Sequence, residues 1–194
     1  MKLNVIYFVL SLFIISGCTE KEKTFVQIDT ELGKIEIELF SEKAPKTVKN
    51  FLQYVDGNHY GNTSFYRSVT MDNQPDNEIK IEVIQGGIFE DKDIFPPVEH
   101  ETTKITGIKH LDGVISMARN KPGSAADDFF ICVGNQPELD FGGKRNPDGQ
   151  GFAAFGKVTK GMDIVKKIHL SYIEGQYLNP KIRVKNITRI KTVN

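Results

Sequence analysis

The alternating sequence FVQIDTELGKIEIEL occupies residues 25–39. Apolar and polar side chains alternate on both sides of a turn at residues 31–33, with Ile28 before the turn and Ile37 after it. An alternation of period two places the apolar side chains on one face of a strand. Two such runs, joined by a turn that contains glycine, predict a β-hairpin with one buried face.

Two helical patterns lie outside this hairpin. Pro45 begins the first and Gly57 ends it, and proline suits a first helical position because its missing N–H would have no partner there. The apolar positions between them recur at i, i+3, i+4 and i+7: Val48, Phe51, Leu52 and Val55. A second helix is expected after the turn at residues 159–161, with Met162, Val165 and Ile168 on one face.

Short apolar runs separated by turn residues predict further strands. They lie at residues 64–69, 79–84, 114–118, 129–133 and 152–158. A last strand is expected at residues 181–191, with a bulge because Ile187 and Ile190 break the alternation. Polar loops are expected at residues 70–78, 89–107 and 139–151. Seven or eight short strands favour a closed barrel or a sandwich, since closure removes exposed edges.

Composition excludes several classes of function. The 194 residues suit one domain, or two small ones at most, and 25 basic residues balance 25 acidic ones, so no basic face is expected for nucleic acid. The four histidines show no spacing typical of metal ligands, and we expect most of them in solvent-facing turns. The Ser, His and Asp residues lie in no recognised nucleophile context. Cys132 lies in an apolar run and is expected to be a small buried side chain.

The amino terminus has the pattern of a targeting segment. Lys2 precedes thirteen nearly all apolar residues at 3–15, whose helix would rise about 20 Å, too short for a hydrocarbon core of about 30 Å. The sequence ISGC at residues 15–18 resembles the lipobox of bacterial lipoproteins, which implies cleavage before Cys18 and a lipid on that cysteine. An uncleaved anchor and a buried amino-terminal helix are the alternatives.

These features predict three parts of the chain. They are a lipoprotein signal peptide at residues 1–17, a lipidated tether at 18–24 and a single domain at 25–194. The mature protein would be lipid-anchored to a bacterial membrane and face outside the cytoplasm, in the periplasm or at the cell surface. Whether that membrane is the inner or the outer one stays open.

Six segments, in the right order, resemble the sequence motifs of cyclophilins. They are APKTVKNF at 44–51, FYR at 65–67, QGG at 85–87, GVISMAR at 113–119, FFI at 129–131, and FGKV at 155–158 followed by GM at 161–162. The resemblance covers nearly all of residues 25–192. It implies a mainly β fold: a closed eight-stranded antiparallel β-barrel capped by two α-helices.

The resemblance also implies an activity, peptidyl-prolyl cis-trans isomerisation. Rotation about an amide bond meets a barrier of about 18–20 kcal/mol. A catalyst needs a donor that favours a localised lone pair on the prolyl nitrogen, an apolar slot for the ring, and groups that hold the flanking peptide. By resemblance Arg67 is the catalytic donor. The implied substrate-binding residues are Val83, Gln85, Ala118, Arg119, Asp128, Phe130, Leu139 and Phe152.

Three positions depart from the family's usual residues. Glu82 replaces Phe, although Met71 or Ile81 could supply that apolar group; Asp128 replaces Gln; and Glu138 stands where some members carry an aromatic residue. Asp128 would either compete with substrate for the Arg67 guanidinium or hold it in position. We expect the acidic residues to lower activity on apolar peptides and to favour clients with Lys or Arg nearby.

The sequence therefore predicts a prolyl isomerase that acts on X–Pro bonds and assists the folding of extracytoplasmic proteins. The alternative is a cyclophilin-fold module that binds proline-containing segments with little turnover. Expected partners are proline-containing polypeptides and, through the lipid on Cys18, a membrane. No cofactor, no metal and no nucleic acid is expected, and the protein is expected to be a monomer.

Overall fold

The computed structural model describes residues 23–88 and 95–191. The predicted signal peptide and Cys18, the predicted site of lipidation, lie outside the described residues, so both stay predictions. In the part of the chain that is described, no helix is both long enough and apolar enough to cross a lipid bilayer.

Nine strands and three α-helices make up the described chain. The strands are β1 (Thr24–Thr30), β2 (Gly33–Leu39), β3 (Thr63–Val69), β4 (Val83–Gly87), β5 (Val114–Met117), β6 (Phe129–Cys132), β7 (Ala153–Lys160), β8 (Ile173–Glu174) and β9 (Tyr177–Ile190). The helices are α1 (Pro45–Asp56), α2 (Thr103–Thr106) and α3 (Met162–His169). A single turn of 3₁₀ helix spans Pro137–Leu139.

The sheet closes on itself. Its strands follow the order β1-β2-β7-β5-β6-β4-β3-β9, and β9 pairs again with β1, so eight antiparallel strands form a barrel. The two-residue strand β8 is attached to the outer end of β9 as a short hairpin. The predicted closed barrel of eight antiparallel strands with α1 and α3 as its helices is confirmed, and the sandwich alternative is excluded.

Strand β9 contains the predicted bulge. Asp29 pairs with Asn186 but Thr30 pairs with Val184, so Lys185 is the extra residue on β9. Because of this extra residue, apolar side chains on both sides of the bulge point into the barrel. Val184 and Ile187 are each 1 % exposed. The strand is longer than expected, because it begins at Tyr177 rather than at residue 181.

Two other predictions differ from the structure. The strand expected at residues 79–84 begins only at Val83. Before that point side chains satisfy the backbone: Gln74 exchanges hydrogen bonds with the N–H and C=O of Ile81, and Arg145 donates to the carbonyl of Ile79. The loop expected at residues 89–107 contains α2, a single helical turn that ends at Gly107 in a left-handed conformation with φ of 71°.

Helix α1 anchors the aromatic part of the core. Phe51 is fully buried and lies 5.7 Å from Phe129 and 5.1 Å from Phe155, measured between ring centroids. On the same helix the side-chain amide of Asn50 donates to the carbonyl of Ala126 at 2.5 Å. The motif APKTVKNF therefore fixes the segment that leads into β6, as well as packing the core.

The first turn of α1 is capped from a distant part of the chain. The first N–H groups of a helix have no partner within it, and Ala44, which precedes the helix, has no polar side chain. Glu101 supplies the acceptors. Its carboxylate receives the N–H groups of Lys46 and Thr47, at 3.2 and 2.7 Å, and the Thr47 hydroxyl at 2.7 Å.

We predict that Glu101→Ala lowers the free energy of unfolding by about 2 kcal/mol, because it leaves the buried N–H of Thr47 and the partly buried N–H of Lys46 without an acceptor. Urea unfolding followed by far-UV circular dichroism measures this change. Glu99→Ala is the matched control, since Glu99 pairs with the side chain of Lys46 at the exposed surface, where ion pairs stabilise little. Equal losses for the two variants would contradict the capping role.

Candidate active site

A cleft of about 510 Å³ opens beside strands β3, β4 and β6. Seven of the nine predicted catalytic and substrate-binding residues lie in its wall: Arg67, Gln85, Ala118, Arg119, Asp128, Phe130 and Phe152. Pairing brings the strands together here, because Arg67 on β3 is the register partner of Gln85, which in turn pairs with Phe130 on β6. The structure thus gathers residues that are far apart in sequence.

The Arg67 guanidinium is held by two carboxamide oxygens. Its Nη1 donates to Oε1 of Gln85 at 3.0 Å, while Nε and Nη2 donate to Oε1 of Gln176 at 3.0 and 2.5 Å. Gln176 occupies the turn between β8 and β9 and belongs to no motif of the sequence. A residue in a tight turn carries no periodic signal, so nothing in the sequence pattern pointed to this contact.

Asp128 is hydrogen-bonded to a neighbour of the arginine. The Tyr66 hydroxyl donates to Oδ2 of Asp128 at 2.8 Å and accepts a hydrogen bond from Nε2 of Gln85 at 2.6 Å. Burial and the adjacent Asp128 raise the pKa of Tyr66 well above its usual range, so the hydroxyl keeps its proton. Among the described residues, the acceptors for Arg67 are the two glutamines rather than this carboxylate.

Gly87 lets β4 approach Asp128 closely. Its φ is 149°, and a Cβ atom at this position would collide with the Asp128 carboxylate and backbone. Only glycine fits such a contact without displacing the neighbouring chain. In the QGG segment at residues 85–87, Gln85 therefore accepts a hydrogen bond from the Arg67 guanidinium, and Gly87 leaves room for Asp128.

Phe130 and Phe152 form an aromatic corner. Their ring centroids lie 5.2 Å apart and the ring planes meet at 88°. Edge-to-face contact of this kind is a favoured arrangement for aromatic pairs. Both rings line the cleft together with Arg67, so an apolar surface and a guanidinium face the same space.

Val83 and Leu139, two of the predicted substrate-binding residues, lie behind the residues of the cleft wall. Val83 and Leu139 are 3 % and 0 % exposed, and with Val69, Ile81 and Cys132 they form a small apolar cluster that Phe130 completes. Of the two apolar substitutes considered for Glu82, Ile81 is the one that is buried, whereas Met71 is 49 % exposed. The cluster supports the aromatic corner from below.

Cys132 belongs to the same cluster. The side chain is fully buried, as expected, and is not part of a disulfide. Burial raises the pKa of its thiol far above the usual range, which leaves no thiolate at neutral pH.

A buried hydrogen-bonded row lies behind Phe130. His110 contacts Oδ1 of Asp140 through Nδ1 at 2.8 Å and Oγ of Ser116 through Nε2 at 3.0 Å, and its ring is stacked on Phe130 at 6.0 Å. The order Asp–His–Ser is that of a hydrolase triad, but Ser116 is fully buried and so cannot reach a substrate. The row therefore supports the aromatic ring.

The histidines are less exposed than predicted. His110 and His169 are 1 % and 6 % exposed, rather than lying in solvent-facing turns. His169 contacts the carbonyl of Val69 through Nε2 at 2.9 Å, and its own carbonyl accepts a hydrogen bond from Ser68. These contacts join the end of α3 to β3, the strand that carries Arg67.

The side chain of Arg119 turns inward. Its guanidinium is 5.2 Å from the Phe152 ring centroid, donates to the carbonyl of Gly151 and forms two hydrogen bonds of 2.8 and 2.9 Å with Asp148. The hydrogen bonds from Arg119 hold the pKa of Asp148 at about 2, so the pair stays charged at neutral pH. Arg119 thus fixes the loop before β7 and one ring of the aromatic corner.

Ala118, Glu138 and Arg145 lie at or near the cleft and have their own contacts. The N–H of Ala118 donates to the carbonyl of Asp128 at 2.8 Å, so it is already used within the protein. Glu138 accepts the N–H of Lys144 at 2.8 Å, which is a contact within its own loop. Arg145 adds a second guanidinium to the wall, and burial together with the charge of Arg67 lowers its pKa.

The arrangement suits a reaction that needs a fixed cationic donor beside an apolar surface. Among the residues that the structure describes, the Ser–His pair that also has an acid, Ser116–His110 with Asp140, is buried and so offers no accessible nucleophile in the cleft. Within residues 23–88 and 95–191, no group of three or more His, Cys, Asp or Glu side chains could hold a metal ion. Binding and orienting a peptide are the functions these side chains can perform.

Comparison with known proteins agrees with this description. The family model described as "Cyclophilin type peptidyl-prolyl cis-trans isomerase/CLD" matches residues 25–191. A peptidyl-prolyl cis-trans isomerase of Acinetobacter baylyi is 39 % identical over 180 residues, which cover 88 % of this chain and 87 % of that protein. Peptidyl-prolyl cis-trans isomerase B of Escherichia coli is 38 % identical over 148 residues, or 74 % and 82 % of the two chains.

Solved structures show the same fold at lower identity. A cyclophilin-type isomerase of Cryptosporidium parvum superposes with a TM-score of 0.70 at 23 % identity, over 88 % of this chain and 99 % of that one. The same protein was also solved in the presence of the dipeptide Ala-Pro, and that structure gives a TM-score of 0.67. On the strength of the family model and the close sequence relatives, this chain belongs to the cyclophilin-type peptidyl-prolyl cis-trans isomerases, enzymes that need no cofactor.

Proposed function

We propose that Arg67 is the catalytic residue of this isomerase and that the aromatic corner of Phe130 and Phe152 seats the proline ring of an X–Pro bond. One observation carries the proposal: the guanidinium and the two perpendicular rings line the same cleft. A relative of this fold was solved in the presence of Ala-Pro, which supports a proline-containing peptide as the substrate.

Isomerisation of an X–Pro bond forms and breaks no covalent bond, so the catalyst needs a charged hydrogen-bond donor rather than a nucleophile. When the X–Pro bond twists, its nitrogen loses conjugation with the carbonyl and its lone pair becomes a hydrogen-bond acceptor. A donor that meets this lone pair stabilises the twisted state and not the planar ones, which is the condition for catalysis. Arg67 is always charged, and a fixed donor in a site shielded from water acts more strongly than one in bulk solvent.

The guanidinium has donors left for this purpose. Arginine has five N–H bonds, and the contacts with Gln85 and Gln176 use three of them. Within residues 23–88 and 95–191, one N–H on Nη1 and one on Nη2 therefore remain without an acceptor. The chain's own glutamines hold the group in place while these two N–H bonds stay available to a substrate.

Replacing Arg67 tests its catalytic role. We expect Arg67→Ala to lower kcat/KM for a proline-containing tetrapeptide by at least about 10²-fold, the usual effect of losing one donor to a transition state. Arg67→Lys should recover little, because an ammonium lacks the planar fork that the two glutamines hold. A protease-coupled isomerisation assay measures these rates, with Arg189→Ala as the control, since Arg189 pairs with Asp56 at the exposed surface.

The same assay separates the two functional alternatives. An active wild type and an inactive Arg67→Ala support catalysis through this residue. Equal rates above background in both would refute the role of Arg67. If neither protein accelerates isomerisation although both bind the peptide, the chain acts as a binding module for proline-containing segments.

The carboxylates beside the cleft give it a preference for cationic clients. Asp127 and Asp128 line the cleft, and both also line an adjoining pocket of about 380 Å³ that Tyr66, Arg67 and Tyr177 complete. A Lys or Arg side chain next to the proline would meet this negative charge. An uncharged side chain would gain nothing from it.

We expect the ratio of kcat/KM between peptides with and without a Lys beside Ala-Pro to be roughly two to five, as for a partly exposed ion pair of about 0.5–1 kcal/mol. Asp128→Asn should reduce this ratio, because the charge is removed while the acceptor for Tyr66 is retained. Raising the salt concentration should do the same in the wild type. A ratio of one at low salt would refute the preference.

The site of action follows from the amino terminus. The mature chain is attached to a membrane through a lipid on Cys18, faces outside the cytoplasm and assists the folding of proteins there. The apolar run at residues 3–15 and the sequence ISGC at 15–18 support this. Strand β1 begins at Thr24, so only a short polar segment separates Cys18 from the barrel.

Mass spectrometry of the protein from a bacterial membrane fraction tests the anchor. The expected mass is that of residues 18–194 plus a diacylglyceryl group, with or without a further acyl chain. Cys18→Ser should remove the lipid and prevent cleavage before that residue, while activity of the folded domain is unchanged. A mature wild-type protein without lipid would refute the proposal.

A further inference from the structure

The turn between β8 and β9 carries a residue that faces the proposed catalytic group. We propose that Gln176 is a positioning residue for the reaction, which sets the plane in which the Arg67 guanidinium meets the prolyl nitrogen. The inference rests on the proposed role of Arg67. It adds a residue that no motif of the sequence indicates.

The contacts define the orientation of the guanidinium. A single oxygen of Gln176 receives both Nε–H and one N–H of Nη2, which fixes one edge of the planar group. Gln85 receives Nη1 on another edge. A planar fork with acceptors on two edges can neither swing about the side chain nor turn about its own axis without losing a hydrogen bond.

Gln176 is itself fixed. Its Nε2 donates to the carbonyl of Asn73 at 3.0 Å, and its backbone carbonyl accepts the N–H of Ser68 at 2.9 Å. Asn73 in turn donates to the carbonyl of Ser68 and accepts the N–H of Thr70. Because the Gln176 amide nitrogen needs an acceptor and Asn73 provides a carbonyl, the amide oxygen must point toward Arg67.

The choice of a neutral acceptor is chemically significant. A carboxylate at either position would also hold the fork, but it would neutralise the charge that stabilises the lone pair of the twisted nitrogen. The two carboxamides orient the guanidinium and leave its positive charge intact. Gln176 therefore helps Arg67 to stabilise the twisted state of the X–Pro bond. Its loss should change the rate of isomerisation more than the affinity for the planar peptide.

The experiment compares Gln176→Met with Glu174→Ala. Methionine has nearly the length and volume of glutamine but cannot accept the hydrogen bonds of Arg67. Glu174 lies in the same hairpin, where it accepts a hydrogen bond from Asn179 and does not contact Arg67. The variant Glu174→Ala therefore controls for a general weakening of the hairpin.

Exchange NMR of an Ala-Pro peptide gives its dissociation constant and the rate of isomerisation in the complex as separate quantities. We expect Gln176→Met to lower that rate by about tenfold, because misplaced catalytic groups lose rate steeply, and to change the dissociation constant less than about twofold. The Nε–H resonance of Arg67 should also move, since it loses its acceptor. Glu174→Ala should match the wild type in all three measurements.

The outcomes separate this inference from the proposed function. If Arg67→Ala abolishes isomerisation but Gln176→Met matches the wild type, Arg67 is catalytic and the positioning role of Gln176 is refuted. A loss of affinity equal to the loss of rate refutes it too, because it indicates a role in binding or in folding. If Arg67→Ala has no effect on the rate, the catalytic role of Arg67 is refuted, and the positioning role of Gln176 is refuted with it.

Discussion

Closure of the barrel by β9 is the constraint on which the site depends. This strand pairs with β1 along one half and with β3 along the other, and the bulge at Lys185 lets it do both while its apolar residues stay inside. The second pairing brings the β8–β9 turn to β3 at the level of Arg67, whose register partner on β9 is Tyr177. Gln176 thereby contacts Arg67, which lies 109 positions earlier in the chain.

The cleft combines a packed floor with a guanidinium that neutral acceptors orient. Beneath Phe130 lie a small apolar cluster and the row formed by Asp140, His110 and Ser116, and the aromatic corner rests on both. Around Arg67 the partners are carboxamides, while the nearby Asp128 receives the hydroxyl of Tyr66. The acidic departure from the family's usual residue is thus accommodated beside the guanidinium.

Much of this architecture could be predicted from the sequence. The hairpin, α1 and α3 follow from local periodicity, and the family motifs located Arg67 and the aromatic residues of the cleft. Gln176 and Glu101 could not be found this way, because each acts on a group far away along the chain: Arg67 and the first turn of α1. The start of β4 was also predicted wrongly, because the prediction followed the apolar residues from 79 onward. Before Val83, side-chain hydrogen bonds from Gln74 and Arg145 satisfy the backbone in place of a neighbouring strand.

The burial of Cys132 has a consequence beyond packing. It is the only cysteine among the described residues, it has no exposed surface, and its thiol does not ionise at neutral pH. The barrel therefore owes none of its stability to a disulfide and offers no thiol for exchange with other proteins. A change between oxidising and reducing conditions therefore leaves the covalent structure of the barrel unchanged.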